Sequence, residues 1–331
     1  MRLKKIKMLL LCGVLMIPVM VSSCGVNGAE VDEIVERTEE DIKDTNIDEI
    51  VEENAEAETK APAKLSGAVE IVIDATTFPD TNFRMYVEEE IDKNGDGNLS
   101  IEEQESVEEI YVRSSTIESM QGLEFFGNLR VLECASNQIS SLDVSANPKL
   151  EELSCYENQL SNLDISVNLN LKMLDCAYNQ ISSLDISMLP DLEVLYCYNN
   201  QMNSLDVSAN PNLESLGCYD NPIGSIDVSM LPNLKKLYCF NNQISSLDVS
   251  ANPKLVYLSC FENQISSLDV SANPDLVDLS CSNNQISSLD VSANPKLEIL
   301  YCSNNQISSL DISANPNLRE LKHDDSVVIT E

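Results

Sequence analysis

The chain has 331 residues, enough for more than one domain, yet only 5% are aromatic and tryptophan is absent, unlike a large enzyme closed around one compact core. Its 55 acidic residues against 20 basic ones leave a formal charge of −35, so DNA or RNA would be repelled along most of the surface and neither is expected as a partner. The single histidine, His323, lies near the C-terminus. No internal histidine-based triad or zinc motif can then be assembled, and no enzyme is expected.

The first residues carry an export pattern. Arg2, Lys4, Lys5 and Lys7 form a basic start, and Met8 to Met20 form an apolar run of 13 residues. A membrane span needs roughly 20 apolar residues, so this run fits a signal segment better. Val21-Ser22-Ser23-Cys24 follows and resembles the lipobox of bacterial lipoproteins, in which cleavage precedes a cysteine that carries a diacylglyceryl group. The resemblance implies a signal peptide over residues 1–23 and a mature chain lipidated at Cys24. It also implies export to the outer side of a bacterial membrane, with the lipid anchor as the only membrane contact. Residues 25–62 hold 14 Asp and Glu against Arg37, Lys43 and Lys60. Such a stretch repels itself and buries little, so residues 24–68 are read as an acidic flexible spacer. Val31, Ile34, Val35, Ile42 and Ile50 leave a short amphipathic helix open as an alternative.

Residues 69–110 read as a small helical cap. Phe83, Val87 and Ile91 fall on one face of an entering helix, and Ser100 is placed to cap an exit helix carrying Ile101 and Val107. Between them runs DKNGDGNLSIEE, Asp92 to Glu103, which has the spacing of the twelve-residue EF-hand loop. In that loop Asp92, Asn94 and Asp96 supply side-chain oxygens, Asn98 its backbone carbonyl, Ser100 a direct or water-mediated contact and Glu103 a bidentate close, while Gly97 permits the sharp turn. One structural Ca²⁺ is the expected cofactor, bound weakly, on the order of 10⁻⁴ to 10⁻³ M. The alternative is an acidic turn whose Asp and Asn side chains serve only local backbone groups.

Cysteines then recur at 134, 155, 176, 197, 218, 239, 260, 281 and 302, every 21 residues without a slip. A leucine precedes each by two positions and an asparagine follows each by three. The unit reads L-x-x-L-x-C-x-x-N-x-I-x-x-L-D-V-S-A-N-P-x, an internal repeat. One coil cannot bury its own apolar positions, whereas stacked coils share them as a continuous core. The L-x-C segments alternate with the strand period, so ten rungs are expected in a parallel sheet about 45 Å long at about 4.8 Å each. The L-D-V-S-A-N-P side is short, β-branched and ends in Pro, which argues against an α-helix there.

From roughly residue 107 to 321 this pattern resembles the leucine-rich-repeat surface proteins of bacteria, including the internalin-like group. FPDTNFRMYV, from Phe78 to Val87, together with the acidic loop, is similar to the helical cap that precedes such repeats in gut and oral bacterial surface proteins. The expected fold is an α/β-type repeat solenoid, mostly β. It has 21-residue repeats, a parallel sheet on one face, an extended and weakly curved opposite side, and the small N-terminal helical cap. The solenoid is placed at residues 111–321 and a C-terminal cap or tail at 322–331.

Three ladders follow from the period. The cysteines are expected as buried free thiols, because parallel neighbours leave Cβ atoms near 4.8 Å, beyond the usual disulfide range of about 3.5–4.5 Å. The asparagines are expected to turn inward and satisfy backbone groups of adjacent coils. The aspartates Asp143, Asp164, Asp185, Asp206, Asp227, Asp248, Asp269, Asp290 and Asp311 are expected as an outward hydrogen-bonded row, with calcium bridging as an alternative.

Positions flanking each Cys face out of the sheet and differ among repeats, which is where recognition can reside. They include Tyr156, Tyr198, Tyr219, Phe240 and Phe261 just after a Cys, and Tyr196, Tyr238 and Tyr301 just before one, with Tyr257 one outward position further away. Exposed aromatics of this kind fit a protein or glycan ligand at the cell surface. Alternatively the rings cover the sheet and pair across strands, or the lipoprotein serves only a structural role in the envelope. A monomer is expected.

Overall fold

The computed structural model describes residues 69–331; the signal segment, Cys24 and the spacer expected before residue 69 lie outside the described residues. The chain enters through a short antiparallel pair, β1 (Ile71–Val72) with β2 (Asn98–Leu99). Helix α1 (Thr81–Tyr86) lies between them, continued by a wider turn over Val87–Ile91. Asp80 caps α1 by accepting from Asn82 N and Phe83 N, and its other oxygen accepts from Glu118 N (2.8 Å), tying the cap to the first coil. Phe83, Val87 and Ile91 are buried as their spacing predicts. Ser100 caps α2 (Ile101–Ser106) in a reciprocal box with Glu103. Ile101, at the start of this exit helix, is exposed, and α2 buries Glu103 and Gln104.

From β3 (Glu109–Tyr111) onward the chain coils. Ten further strands follow at one position per coil: β4 (Val131–Glu133), β5 (Glu152–Ser154), β6 (Met173–Asp175), β7 (Val194–Tyr196), β8 (Ser215–Gly217), β9 (Lys236–Tyr238), β10 (Tyr257–Ser259), β11 (Asp278–Ser280), β12 (Ile299–Tyr301) and, after β13 (Ser309–Asp311) on the return side, β14 (Glu320–Lys322). These make an eleven-stranded parallel sheet, one strand more than expected. The extra strand arises because coils without a Cys pair at both ends: Ile110 sits opposite Leu132, and Leu321 opposite Leu300. Register is uniform, each central Leu facing the next, as in Leu153 with Leu174 and Leu258 with Leu279. A one-residue slip would turn every inward Leu to solvent, so burial itself holds the register.

Between strands β3 and β14 the return side carries tight turns and no α-helix, as the β-branched, Pro-terminated segments predict; the first coil has a single 3-10 turn at Leu123–Phe125. In each coil a backbone bond such as Asn147 N to Val144 O (3.0 Å) folds one turn and Leu150 N to Asn147 O (3.2 Å) the next. At the C-terminal end, β13 pairs in parallel with β15 (Val328–Thr330) and closes the last coil with backbone bonds.

All nine ladder thiols are free and buried. Burial pushes the Cys218 and Cys260 thiols up to about 12, so they stay protonated and act as small apolar groups. The asparagine ladder works across coils. Asn158 Nδ2 donates to Cys134 O of the previous coil (3.1 Å) and Cys155 O of its own (3.0 Å), while Oδ1 accepts from Ile139 N (3.0 Å). Asn221 and Asn284 repeat these bonds one for one.

A second asparagine ladder was not anticipated. Asn147, Asn168, Asn210, Asn252, Asn273, Asn294 and Asn315 are buried on the return side, and each Nδ2 reaches carbonyls of the preceding coil, as Asn273 does to Val249 O and Asn252 O. Its signal was present in the recurring A-N-P. At 189 and 231 the same position is a buried Leu.

Candidate partner-binding face

The outward side of the sheet presents rows in register. One row runs Glu133, Ser154, Asp175, Tyr196, Gly217, Tyr238, the residues that end consecutive strands. Because rungs are parallel and unshifted, a side chain meets its counterparts 21 residues away, and pairs of like residues stack. The row after the cysteines shows this most clearly. Rings of Tyr198, Tyr219, Phe240 and Phe261 lie flat on one another, with centroids 4.1, 4.1 and 4.3 Å apart and planes within 16°.

Tyr156 and Tyr196 meet the stack at Tyr198, with centroids at 6.4 and 6.3 Å. Gly217 makes room for this arrangement, since a Cβ there would come within 3.0 Å of the Tyr196 ring. Tyr196 Oη shares a hydrogen bond with Ser215 Oγ (3.1 Å). The structure therefore brings six of the nine expected partner-face rings into one contact chain. Tyr257 lies under Lys236 Nζ (5.5 Å), and Tyr301 under Lys322 Nζ (4.2 Å).

The expected exposure of these rings is corrected by the structure. Tyr196, Tyr198, Tyr219, Tyr238, Phe240, Phe261 and Tyr301 are buried, Tyr219 and Phe261 with no accessible surface, while Tyr156 and Tyr257 are half-buried. Part of the cause is spacing: rungs at sheet distance let flat rings rest on one another instead of projecting. Both faces of Tyr219 and of Phe240 are taken by neighbouring rings.

Tyr178 belongs to the cluster and was missed. It packs edge-on against Tyr156 and Tyr198, at 5.2 and 5.6 Å. Tyr178 sits two residues after Cys176, off the alternating stripe, and its left-handed backbone (φ 50°) turns it back toward the rings. The equivalent residue of every Cys rung has positive φ, from Ser136 to Asn304, and the Asn and Asp frequent there were the available signal.

Carboxylates occupy the N-terminal end of the face. Burial raises the Asp175 carboxyl to about 7, against the Ala177 N–H that it accepts; Glu133 adds repulsion and Arg113 a smaller opposing attraction. Glu133 is raised as well, chiefly by burial.

Away from the sheet, the Asp92–Glu103 loop is held by its own backbone. Asp92 accepts from Gly95 N (2.7 Å) and Gly97 N (2.9 Å), Asn94 from Asp96 N (2.8 Å) and Asp96 from Asn98 N (2.8 Å). Gly95 and Gly97 take the positive φ of the turns. Glu103 Oε1 accepts from Lys93 N, and Oε2 accepts from both Ser100 N and Ser100 Oγ; the Ser100 bonds, its hydroxyl first, hold this carboxyl below its usual range.

The donor set is all oxygen, which suits a hard cation. No group of three or more His, Cys, Asp or Glu among the described residues converges as a metal site. A bidentate grip by Glu103 therefore requires it to release Ser100.

The aspartate row follows the locally bonded expectation. In each of its nine members Oδ1 accepts from the backbone N–H of the Ser two residues on, as in Asp143 with Ser145 and Asp311 with Ser313 (both 2.9 Å).

Leucine-rich-repeat family models match residues 127–167, 169–210 and 211–252 (Leucine Rich repeats, 2 copies) and 296–319 (Leucine Rich Repeat). A search of curated protein sequences finds no match. Among solved structures, the functional domain of InlJ from Listeria monocytogenes, described as including a cysteine ladder, is 30% identical with a TM-score of 0.68 over 78% of this chain. The chain spans 62% of the length of that structure. The internalin InlF from the same organism is 22% identical, with a TM-score of 0.57 over 81% of this chain and 95% of its own. A leucine-rich-repeat protein of Leptospira interrogans is 27% identical, with a TM-score of 0.54 over 63% of each chain.

Proposed function

Starting from a leucine-rich-repeat protein with internalin-like structural neighbours, we propose that this chain is a lipid-anchored extracellular binding protein that holds a protein ligand on the outward face of its parallel sheet. Leucine-rich-repeat domains commonly act as interaction scaffolds without catalysis. The observation that carries the reading is the contrast within one register: from β4 onward the inward Leu of each rung lies opposite that of the next, while the outward rows change from Glu133 and Asp175 through aromatics to Lys322. A constant scaffold with a changing face is what selective recognition of a protein surface requires. The anchor rests on the lipobox-like Val21–Cys24 and the export pattern before it.

A glycan ligand is disfavoured by the ring geometry. Sugars stack on open ring faces, and Tyr219 and Phe240 give both faces to their neighbours. A protein partner can instead use the half-buried Tyr156 and Tyr257 together with the charged ends of the face. The test is capture by immobilised chain starting at Gly25, compared with a Tyr156→Ser/Lys236→Ser/Tyr257→Ser variant that leaves the stacked rings in place. A partner retained by the wild type and lost by the variant supports the assignment; equal retention removes the sheet face as the site.

We further propose that the Asp92–Glu103 loop takes one Ca²⁺ that stiffens the cap, with Asp92, Asn94, Asp96, Asn98 carbonyl, Ser100 and Glu103 as its donors. What supports this is the oxygen-only donor set around two glycine turns. Calorimetric titration is expected to show millimolar-range binding that Glu103→Gln abolishes. Absence of heat in the wild type at millimolar Ca²⁺ leaves the loop a self-satisfied turn.

A further inference from the structure

The return side carries a feature that neither the fold nor the sheet face uses. The residue three after each ladder Asp is Ala in six rungs, at 146, 209, 251, 272, 293 and 314, but Val167, Met188 and Met230 in the other three. Leu169 stands where neighbouring rungs have Pro. These four side chains are 43–56% exposed and make up four of the ten exposed large apolar residues among those described. Folding does not require them, since the Ala rungs keep the same register without them. An apolar stripe retained at solvent-facing positions marks a contact surface. From Val167 to Met230 is three rung steps, about 14 Å at sheet spacing, with Ala209 in the rung between Met188 and Met230, the length of roughly four extended residues.

Its surroundings decide what would dock there. An open groove of about 450 Å³ runs beside Val167, lined by Ser140, Ser141, Asp143, Ser145, Asp164 and Ser166 among others. Asp143 and Asp164 line that groove, and Asp185, Asp206 and Asp227 continue the same row along the stripe, each with one carboxylate oxygen on a Ser N–H. Lysine occurs one position after the Pro site in other rungs, at 149, 254 and 296, but rungs of the stripe have Asn170, Asp191, Asn212 and Asn233 there. Along the stripe rungs the patch is thus apolar, flanked by acid and without a lysine at that position, while Lys149 borders its Asp143 end. A second copy would set aspartate row against aspartate row, and an anionic membrane would be repelled in the same way.

We propose that the stripe of Val167, Leu169, Met188 and Met230, with the adjacent aspartate row, is a second docking surface. It fits an extended segment of a partner protein in which Lys or Arg alternates with large aliphatic residues. The aliphatic side chains cover the stripe and the cations meet the carboxylates.

The test uses the full chain and a labelled eight-residue peptide of alternating Leu and Lys, read by fluorescence anisotropy at low salt. Alternating Ser–Lys and Leu–Glu peptides serve as controls. The variant Val167→Ala/Leu169→Pro/Met188→Ala/Met230→Ala installs residues that other rungs already carry, so circular dichroism should be unchanged. It is expected to bind the Leu–Lys peptide at least ten-fold more weakly and the Ser–Lys peptide unchanged. Asp143→Asn/Asp164→Asn/Asp185→Asn should weaken both lysine peptides, and the Leu–Glu peptide should not bind. Equal Leu–Lys affinity in the wild type and the quadruple variant overturns the proposal. So does self-association of the wild type, seen by sedimentation and lost in that variant, which would assign the stripe to a second copy.

Discussion

At the scale of single residues, Asp175 is the most consequential group on the sheet face. Its carboxyl is held near 7 by burial, whereas in the unfolded chain it ionises near 4. Between those values the folded state keeps a proton that the unfolded state has released. Folding stability therefore falls as pH rises through that window and levels off above it. Asp175→Asn keeps an oxygen for the Ala177 N–H (3.1 Å) and removes the titration. Its melting temperature is expected to exceed that of the wild type at pH 8 by roughly 2–4 °C for each kcal/mol recovered, and to converge with it near pH 3.5. The same gap at both pH values would show that the carboxylate's charge is not what costs stability.

At the scale of elements, the N-terminal cap shields the open end of the solenoid, and its junction with the first coil is unforgiving. Phe78 is fully buried and packs edge-on against Phe83 and Phe125, with centroids at 5.8 and 5.6 Å. Its ring fills the space over Gly122, whose φ is 106°, and a Cβ there would fall 2.2 Å from the ring. Gly122→Ala thus combines a disfavoured backbone with a rigid clash, and a loss of about 3 kcal/mol or more is expected. The loss should appear first as protease sensitivity of residues near the cap, because coils further along depend on nearest neighbours only. Wild-type resistance in the variant would mean that the cap can shift without cost. The cross-coil asparagines act on the opposite principle, each joining two coils through buried bonds that no single coil could complete.

At the scale of the whole molecule, stability is close to a sum over rungs and their interfaces. Excising residues 254–274, one 21-residue period, joins Pro253 to Asp275 and leaves every inward position in frame. The shortened chain is expected to fold with an unchanged far-ultraviolet spectrum per residue and a melting temperature only a few degrees lower. Removing ten residues instead places inward positions outside and should abolish cooperative folding. If the 21-residue deletion also fails to fold, the rungs are not interchangeable units.

The period, the inward Leu and Cys positions, the first asparagine ladder, the bonded aspartate row and the absence of α-helix from the return side were all legible in the residues alone. Each depends on spacing along the chain, and in a solenoid spacing along the chain is position in space. The fate of the outward rings was not legible in the same way. Whether Tyr198, Tyr219, Phe240 and Phe261 project or lie flat depends on neighbours 21 residues away at sheet distance, and on Gly217 leaving space for Tyr196. Tyr178 joined them through a left-handed backbone that no hydrophobic period encodes. Local patterning thus determined the coil and its stacking, while side-chain contact between coils decided which outward groups are covered and which, like Val167, Met188 and Met230, stay open to solvent.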